Sequence, residues 1–132
     1  MISTNDAISI HEVLIAKFGG SRGLRDRGAL EASLARPYAT FGGEELYPSN
    51  IDKAAALMES ILINHPFIDG NKRIAYVLMR LTLMQPAVGS PQFDLKATQE
   101  EKYDMVIAAT TGALRYEGIK AWINKHVIQV EK

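Results

Sequence analysis

Apolar residues recur at intervals of three or four positions along most of the chain, which is the spacing of amphipathic helices. In the first such helix, which ends before Gly19 and Gly20, the apolar stripe consists of Ile8, Ile10, Val13, Leu14 and Phe18. A second helix is capped by Asp26 and ends before Pro37. The pattern therefore predicts two helices separated by a short glycine-containing loop.

Two helices in the middle of the chain flank a proline-containing loop. The first of them begins at Ser49 or Asn50 and ends near Asn64, because a proline at position 66 disfavours helical backbone at the residue before it. The second starts near Gly70 or Asn71 and ends ahead of the proline at position 86. Its predicted buried stripe consists of Ile74, Val77, Leu78, Leu81 and Met84.

Two more helices follow a predicted loop over residues 85–96. Thr98 and Glu101 have the spacing of a capping box, and Gly112 ends the helix that they open. The last helix covers roughly residues 116–127. These two bring the predicted number of helices to about six.

Residues 38–48 break the helical pattern. Tyr38, Phe41 and Tyr47 surround Gly42 and Gly43, which predicts a turn or a short hairpin. The length of 132 residues fits one domain over residues 1–132. We therefore expect an all-α fold, a compact bundle of about six helices with a small β-hairpin-like excursion.

The amino-acid composition excludes cysteine chemistry and argues against binding to nucleic acid or a membrane. The chain has no cysteine, which excludes disulfides and cysteine nucleophiles, and its 15 basic and 15 acidic residues cancel. A neutral chain has no overall field that draws it to a polyanion, so we expect no direct binding of nucleic acid. Residues 1–6 lack the features of a signal peptide, and no apolar run reaches the length of a membrane span. The expected location is the cytoplasm, with no membrane contact.

The candidate chemistry lies in residues 65–73, where a loop between two helices ends in Gly70-Asn71-Lys72-Arg73. The free N–H groups at the start of a helix attract anions, and a glycine there lets a phosphate approach the backbone. Cations in the first helical turn are unfavourable for the helix itself, so Lys72 and Arg73 indicate that an anion binds beside them. The Asn71 amide is a further hydrogen-bond donor.

Two other residues of this loop complete a transferase-like set. His65 can take a proton from a hydroxyl group at neutral pH. Asp69 can bind Mg²⁺, which prefers a carboxylate together with phosphate oxygens. Since the chain has no P-loop motif, the loop predicts phosphoryl or nucleotidyl transfer by another kind of site.

The segment H-P-F-I-D-G-N-K-R-I-A-Y resembles the Fic motif H-P-F-x-D/E-G-N-G-R-x-x-R. The residues shared with that motif are His65, Phe67, Asp69, Gly70, Asn71 and Arg73. Lys72 replaces the second glycine, as in the Doc ("death on curing") type, and Tyr76 replaces the final arginine. Residues 18–37 and 108–122 also resemble Doc-type sequences, so the likeness covers nearly the whole chain.

The resemblance implies the Fido fold and a toxin of a toxin–antitoxin pair. A Doc-type toxin would transfer the γ-phosphate of ATP to a threonine of elongation factor Tu, with Mg²⁺ bound, and would be blocked by a segment of a Phd-like antitoxin. His65 would be the base, Asp69 the metal ligand and Phe67 a scaffold of the motif. The phosphate-binding residues would be Gly70, Asn71, Lys72 and Arg73, of which the last two would also be catalytic. The flap that docks the target would contain Phe41, Gly42 and Gly43.

Two alternatives remain open at this point. Fic proteins proper transfer AMP, and Gly70 is Fic-like, since some Doc-type sequences have alanine there, whereas Lys72 is Doc-like. The third hypothesis is an inactive nucleotide-binding module or a neutralised toxin remnant. Outside the motif, His11 and His126 are predicted to be surface residues. Arg80 either reaches the site or pairs with a surface carboxylate, and the second alternative is preferred.

Overall fold

The computed structural model describes residues 1–86, 89 and 91–130. The described part contains six α-helices, which confirms the predicted mainly helical fold. The helices are α1 (Thr4–Phe18), α2 (Arg27–Ala35), α3 (Asn50–Asn64), α4 (Asn71–Leu83), α5 (Gln99–Thr111) and α6 (Tyr116–His126). A 3-10 turn, Arg36–Tyr38, follows α2.

Side-chain caps fix where four of the helices begin. Asp26, Ser49 and Thr98 each accept a hydrogen bond from a backbone N–H in the first turn, as their sequence positions predicted. Ser3 forms a capping box with Asp6, so α1 begins before the predicted apolar stripe.

Helix α3 lies at the centre of the fold. All its residues from 52 to 62 are buried, and it packs most extensively against α4 and next against α6. The residues of this core include Leu57, Met58 and Ile61 of α3 and Ile74 and Leu78 of α4. Because α3 and α4 are consecutive and packed together, the loop that joins them is held at both ends.

The buried faces of two helices differ from the predicted stripes. In α1 the buried residues are Ala7, His11 and Ile15, whereas Val13 and Phe18 are exposed. These buried positions are four residues apart and include a histidine, so a count of apolar residues alone placed the face wrongly. In α4, Leu81 is 40% exposed, because the buried face turns towards residues 74, 75, 78, 79 and 82.

The predicted hairpin is present. Strands β1 (Thr40–Phe41) and β2 (Glu44–Glu45) pair antiparallel across Gly42 and Gly43, whose φ angles are +60° and +83°. Positive φ at both turn positions matches the twist of a two-residue hairpin. The buried Lys53 of α3 donates to the Glu45 carboxylate at 2.8 Å and to a backbone carbonyl after β2, which ties the hairpin to the core.

A second strand pair corrects the expectation of a single β-like excursion. Strand β3 (Gln92–Leu95) lies in the predicted loop, and it pairs with β4 (Val127–Val130), which begins where the last helix was expected to end. The pairing joins segments that are distant in sequence, which a local pattern does not reveal. Residues 87, 88 and 90 of the predicted loop lie outside the described residues.

Arg80 makes the predicted ion pair. Its Nε and Nη2 donate to the two carboxylate oxygens of Asp94 at 2.8 and 2.9 Å, which ties α4 to β3. None of the helices in the described ranges is long and apolar enough to cross a membrane.

His126 lies inside the fold, so its prediction as a surface residue was wrong. Its ring stacks on Trp122 at 4.1 Å, its Nδ1 bonds the Trp122 carbonyl, and its Nε2 lies 2.8 Å from the Glu101 carboxylate. A ring that packs and bonds at both nitrogens can be buried at little cost.

Candidate active site

The motif loop, residues 65–70, begins with backbone in a rare conformation. His65 ends α3 with φ 46° and ψ 59°, the left-handed region, and it is the only described non-glycine residue with positive φ. Its backbone N–H bonds the Ile61 carbonyl, while the residue itself is exposed. The left-handed end of α3 thus places an imidazole in solvent at the mouth of the loop, at a cost in backbone strain.

Arg25 fixes this end of α3 from outside. Its Nε donates to the His65 carbonyl at 2.6 Å and its Nη2 donates to the Asn64 carbonyl at 2.5 Å. Carbonyls at a helix end lack intrahelical partners, and a guanidinium also complements the negative end of the helix dipole. Arg25 therefore holds the backbone that carries the candidate base.

The segment before α2 holds the rest of the loop through main-chain atoms. The amides of Arg25 and Asp26 both donate to the Pro66 carbonyl, at 2.8 and 3.0 Å, and the Ile68 amide donates to the Gly23 carbonyl at 3.0 Å. An isolated antiparallel bridge joins position 24 to position 67. The loop is thereby paired with residues 23–26 like a short strand.

Asn71 closes the loop on itself. Its side-chain amide donates to the Phe67 carbonyl at 2.9 Å, and its Oδ1 accepts the Phe67 amide at 3.0 Å. The sequence predicted this amide as a donor for phosphate, but the structure uses it to hold the buried scaffold residue Phe67. Asn71 still offers an anion the second N–H of its side-chain amide and its backbone N–H in the first turn of α4.

Asp69 is exposed and oriented by two backbone donors. Ser21 N–H bonds its Oδ2 at 3.0 Å and Gly70 N–H bonds its Oδ1 at 2.8 Å. These two bonds, with smaller contributions from nearby His11 and Arg73, hold the pKa of the Asp69 carboxyl below its ordinary value. The carboxylate is therefore ionised at neutral pH, and each oxygen retains a free lone pair.

The Asp69 carboxylate lies so close to Gly20 that a side chain at position 20 would displace it. A Cβ at Gly20, whose φ is +113°, would lie 2.7 Å from Asp69 Oδ2, whereas a Cβ at Gly19, φ +86°, would meet nothing within 4 Å. We expect alanine at either position to lower the free energy of unfolding by about 1–3 kcal/mol through backbone strain. Urea denaturation measures that loss.

The pKa of the Asp69 carboxyl should differ between the two glycine variants. In Gly20→Ala the carboxylate must leave the Ser21 N–H, so its pKa should rise towards its ordinary value of 3.8 in a carbon-13 NMR titration. Gly19→Ala, the matched control, should leave that pKa low. Equal pKa values in the two variants would contradict the assigned role of Gly20.

Gly70 has a conformational reason to be glycine. It is the N-cap of α4 with φ 74° and ψ 16°, a left-handed conformation, and a Cβ there would lie 3.3 Å from Ile15 Cδ1. Gly70 therefore does not by itself favour AMP transfer over phosphate transfer. Lys72 and Arg73 follow in the exposed first turn of α4, and among the described residues neither forms an ion pair.

Two cavities meet at Lys72 and Arg73. A polar one of about 420 Å³ is lined by His65, Ile68, Asp69, Gly70, Asn71, Lys72, Arg73 and Thr110. A larger, mostly apolar one of about 530 Å³ lies on the other side of the two cations, between α1, α4 and α5. The structure thus brings together every predicted catalytic and phosphate-binding residue around one cavity.

The predicted flap residues are not part of that wall. Phe41 is 81% exposed, and none of Phe41, Gly42 and Gly43 lines either cavity. Their role in docking a target stays a prediction.

Sequence reasoning missed contributions from α1 and α5. Phe18 lies under the Arg73 guanidinium, 4.4 Å from the ring centroid, and Thr110 lines the polar cavity. His11, predicted to be exposed, is 2% exposed and reaches the motif loop. Its spacing of four from Ala7 and Ile15 was the signal that could have revealed its burial.

Comparison with known proteins identifies the family of the chain. Residues 1–83 match the model of the Fic/DOC family. The chain is 52% identical over 59 residues to Toxin Doc of Mycolicibacterium smegmatis, a match that covers 45% of each protein. It is 29% identical over 118 residues to Protein kinase doc of Escherichia phage P1, covering 89% of this chain and 88% of that protein. The family match extends over the whole motif loop and α4, and the chain therefore belongs to the Fic/DOC family.

Proposed function

We propose that the chain is a Doc-like toxin kinase, which transfers the γ-phosphate of ATP to a threonine hydroxyl of a translation factor, elongation factor Tu, and so arrests translation. The observation that carries the proposal is the position of Lys72, on the exposed first turn of α4 between the two cavities. A relative that carries the name protein kinase aligns over most of this chain, which supports phosphate transfer as the reaction.

The N-terminus of α4 is suited to hold the phosphates. The N–H groups of the first helical turn have no intrahelical partner, residues 70–73 line the polar cavity, and Lys72 and Arg73 add two positive charges. The Arg73 guanidinium rests on the Phe18 ring, which limits its freedom before an anion binds. Phosphate binding would relieve the unfavourable placement of two cations at a helix N-terminus.

His65 would serve as the base for the target hydroxyl. The hydroxyl oxygen attacks the γ-phosphorus, the bond from that phosphorus to the bridging oxygen breaks, and ADP leaves. His65 takes the hydroxyl proton as the new bond forms. Its exposure at the mouth of the polar cavity lets a protein substrate reach it.

The residues of the polar cavity fit a bound Mg²⁺. Asp69 is the only acid among its described lining residues, and no group of three described His, Asp or Glu side chains could hold a metal alone. Mg²⁺ commonly binds through one or two carboxylates together with substrate phosphates and water. When bound, it would neutralise charge on the phosphates; Asp69 would hold it with its free lone pairs.

A Phd-like antitoxin is the proposed partner that silences the toxin. A segment that covers Lys72 and Arg73 would obstruct both cavities at once, and the cationic rim favours an acidic segment. The name Toxin Doc of the mycobacterial relative supports the toxin–antitoxin setting.

Label transfer tests the reaction. The protein is incubated with elongation factor Tu and ATP labelled at the γ or, separately, at the α position. We expect label from the γ position only, on a threonine, and a Lys72→Gly variant should lose most of that transfer because the charge that holds the phosphates is removed.

Each other outcome has a definite meaning. Label from the α position alone would overturn the kinase proposal in favour of AMP transfer. Absence of transfer from both positions, together with expression in cells that is harmless, would favour an inactive nucleotide-binding module.

A further inference from the structure

His11 is a buried titratable residue for which the proposed reaction has no use. It lies on α1 and is only 2% exposed. Its ring stacks on that of Phe67, with the centroids 3.9 Å apart and the planes at 8°. The motif loop is therefore packed on an imidazole that comes from a distant part of the chain.

The same ring makes a hydrogen bond to the loop backbone. His11 Nε2 lies 2.7 Å from the Asp69 carbonyl oxygen, across 58 residues of sequence. Because a carbonyl oxygen only accepts, Nε2 carries the proton and donates it. One side chain thus contacts the loop at Phe67 by stacking and at Asp69 by a directed bond.

The hydrogen bond from His11 is made to the peptide between Asp69 and Gly70. The Asp69 carbonyl belongs to the peptide that leads into Gly70, and Gly70 lacks the Cβ that restricts rotation elsewhere. Helix α1 packs closely against this turn, since a Cβ on Gly70 would lie 3.5 Å from His11 Nε2. The positive φ of Gly70, 74°, favours glycine at this position, and the bond from His11 supplies a restraint that the glycine lacks.

We propose that His11 is a positioning residue of the Fic/Doc site, which fixes the 69–70 peptide and thereby aims the Asp69 carboxylate and the first N–H groups of α4. The proposal rests on the proposed function for its catalytic consequence. Asp69 is then held at both ends: His11 binds its carbonyl, and Ser21 N–H and Gly70 N–H bind its carboxylate. Release of the carbonyl would let the peptide rotate and carry the Gly70 N–H away from the carboxylate.

Two His11 variants separate positioning from packing. His11→Leu fills the space with an apolar side chain but donates nothing, whereas His11→Gln keeps a donor of similar reach. His126→Ala is the matched control, because His126 is also a buried, stacked histidine that bonds a carbonyl, but in α6 away from the motif.

Amide hydrogen exchange tests the position directly and needs no activity. In His11→Leu the Ser21 and Gly70 amides, which bond the Asp69 carboxylate, should exchange about tenfold faster than in the parent protein. His11→Gln should restore slow exchange, and His126→Ala should leave both amides unchanged. Equal exchange at Ser21 and Gly70 in His11→Leu and His126→Ala would overturn the proposal.

Kinetics then test the consequence for the reaction. Whichever label the parent protein transfers, His11→Leu should lower kcat/KM about tenfold to a hundredfold and raise the Mg²⁺ concentration that gives half-maximal rate. His11→Gln should recover most of the rate, and His126→Ala should keep the parent value. If the parent transfers neither label, the proposed function fails, while the exchange experiment still decides the role of His11.

Discussion

Replacement of His65 by glycine is expected to remove transfer activity by a factor of at least about 100 and to leave the fold intact. A positioned general base contributes about 10²–10⁴ to a rate, and His65 is the only histidine among the described residues that line the polar cavity. The measurement is kcat/KM for label transfer to the target protein by the parent and the variant.

The free energy of unfolding of the same variant, His65→Gly, should increase although its activity falls. His65 occupies the left-handed region at the end of α3, where a side chain is strained and glycine is not. Because the residue is exposed, its replacement removes little packing, so His65→Gly should gain up to about 1 kcal/mol in the free energy of unfolding. Loss of activity with a gain in stability marks a residue that is kept for its chemistry.

His65→Asn serves as the control for the backbone. Asparagine tolerates the left-handed region but cannot act as a base at neutral pH, so this variant should be inactive and close to the parent in stability. An active asparagine variant would show that the imidazole does not take the proton.

Replacement of Glu59 by alanine is expected to cause the largest loss of stability, about 3 kcal/mol, without removing any residue from the site. Glu59 is 8% exposed, and its carboxylate accepts from Arg36 Nη1 at 2.9 Å, Arg115 Nε at 3.2 Å and the Tyr116 N–H at 2.6 Å. Removal of the acid leaves the partly buried Arg36 guanidinium without its counter-charge and the Tyr116 N–H at the start of α6 without its acceptor.

Urea denaturation of two variants separates this burial effect from a general effect of charge. Glu31 forms an exposed pair with Arg27 at 3.7 Å, with both side chains more than half exposed. Glu31→Ala should therefore change the free energy of unfolding by no more than about 0.5 kcal/mol. Similar losses for the two alanine variants would show that the Glu59 bonds contribute little.

Low pH should weaken the hydrogen bonds of the Glu59 carboxylate. Burial raises the pKa of Glu59, but the bonds from Arg36, Tyr116 N–H and Arg115 outweigh it and hold the pKa below the ordinary value of 4.5. The stabilisation is then complete above pH 4.5 and is lost as the pH falls through the lowered value in the folded protein. Glu59→Gln should show a smaller loss of stability over that interval.

The elements that sequence analysis predicted are those set by local signals. The caps Asp26, Ser49 and Thr98 and the Gly42–Gly43 turn each act within a few residues, and all were found where expected. The motif loop was predicted as a site because its chemistry is contiguous in sequence.

The features that were missed depend on contacts between distant segments. The bond from His11 to Asp69 spans 58 residues, and the pairing of β3 with β4 joins the residue pairs 92–130 and 95–127. The bonds of the Asn71 side chain were also not foreseen, since only the folded loop shows that its Nδ2 and its Oδ1 both bond the Phe67 backbone. A pattern along the chain identifies which groups are present, but their partners follow from the packing.

The strand-like pairing of residues 23–26 with the motif loop has a consequence for divergence within the family. Its hydrogen bonds join backbone amides to backbone carbonyls, and these can form with any side chain except proline at the donor positions. Only a few positions are tied to their side chains or to their lack of one, such as Arg25 and Gly23, where a Cβ would lie 2.8 Å from Ile68. Substitutions can therefore change the outward surface of this segment, and with it the proteins that bind there, while the motif loop keeps its shape.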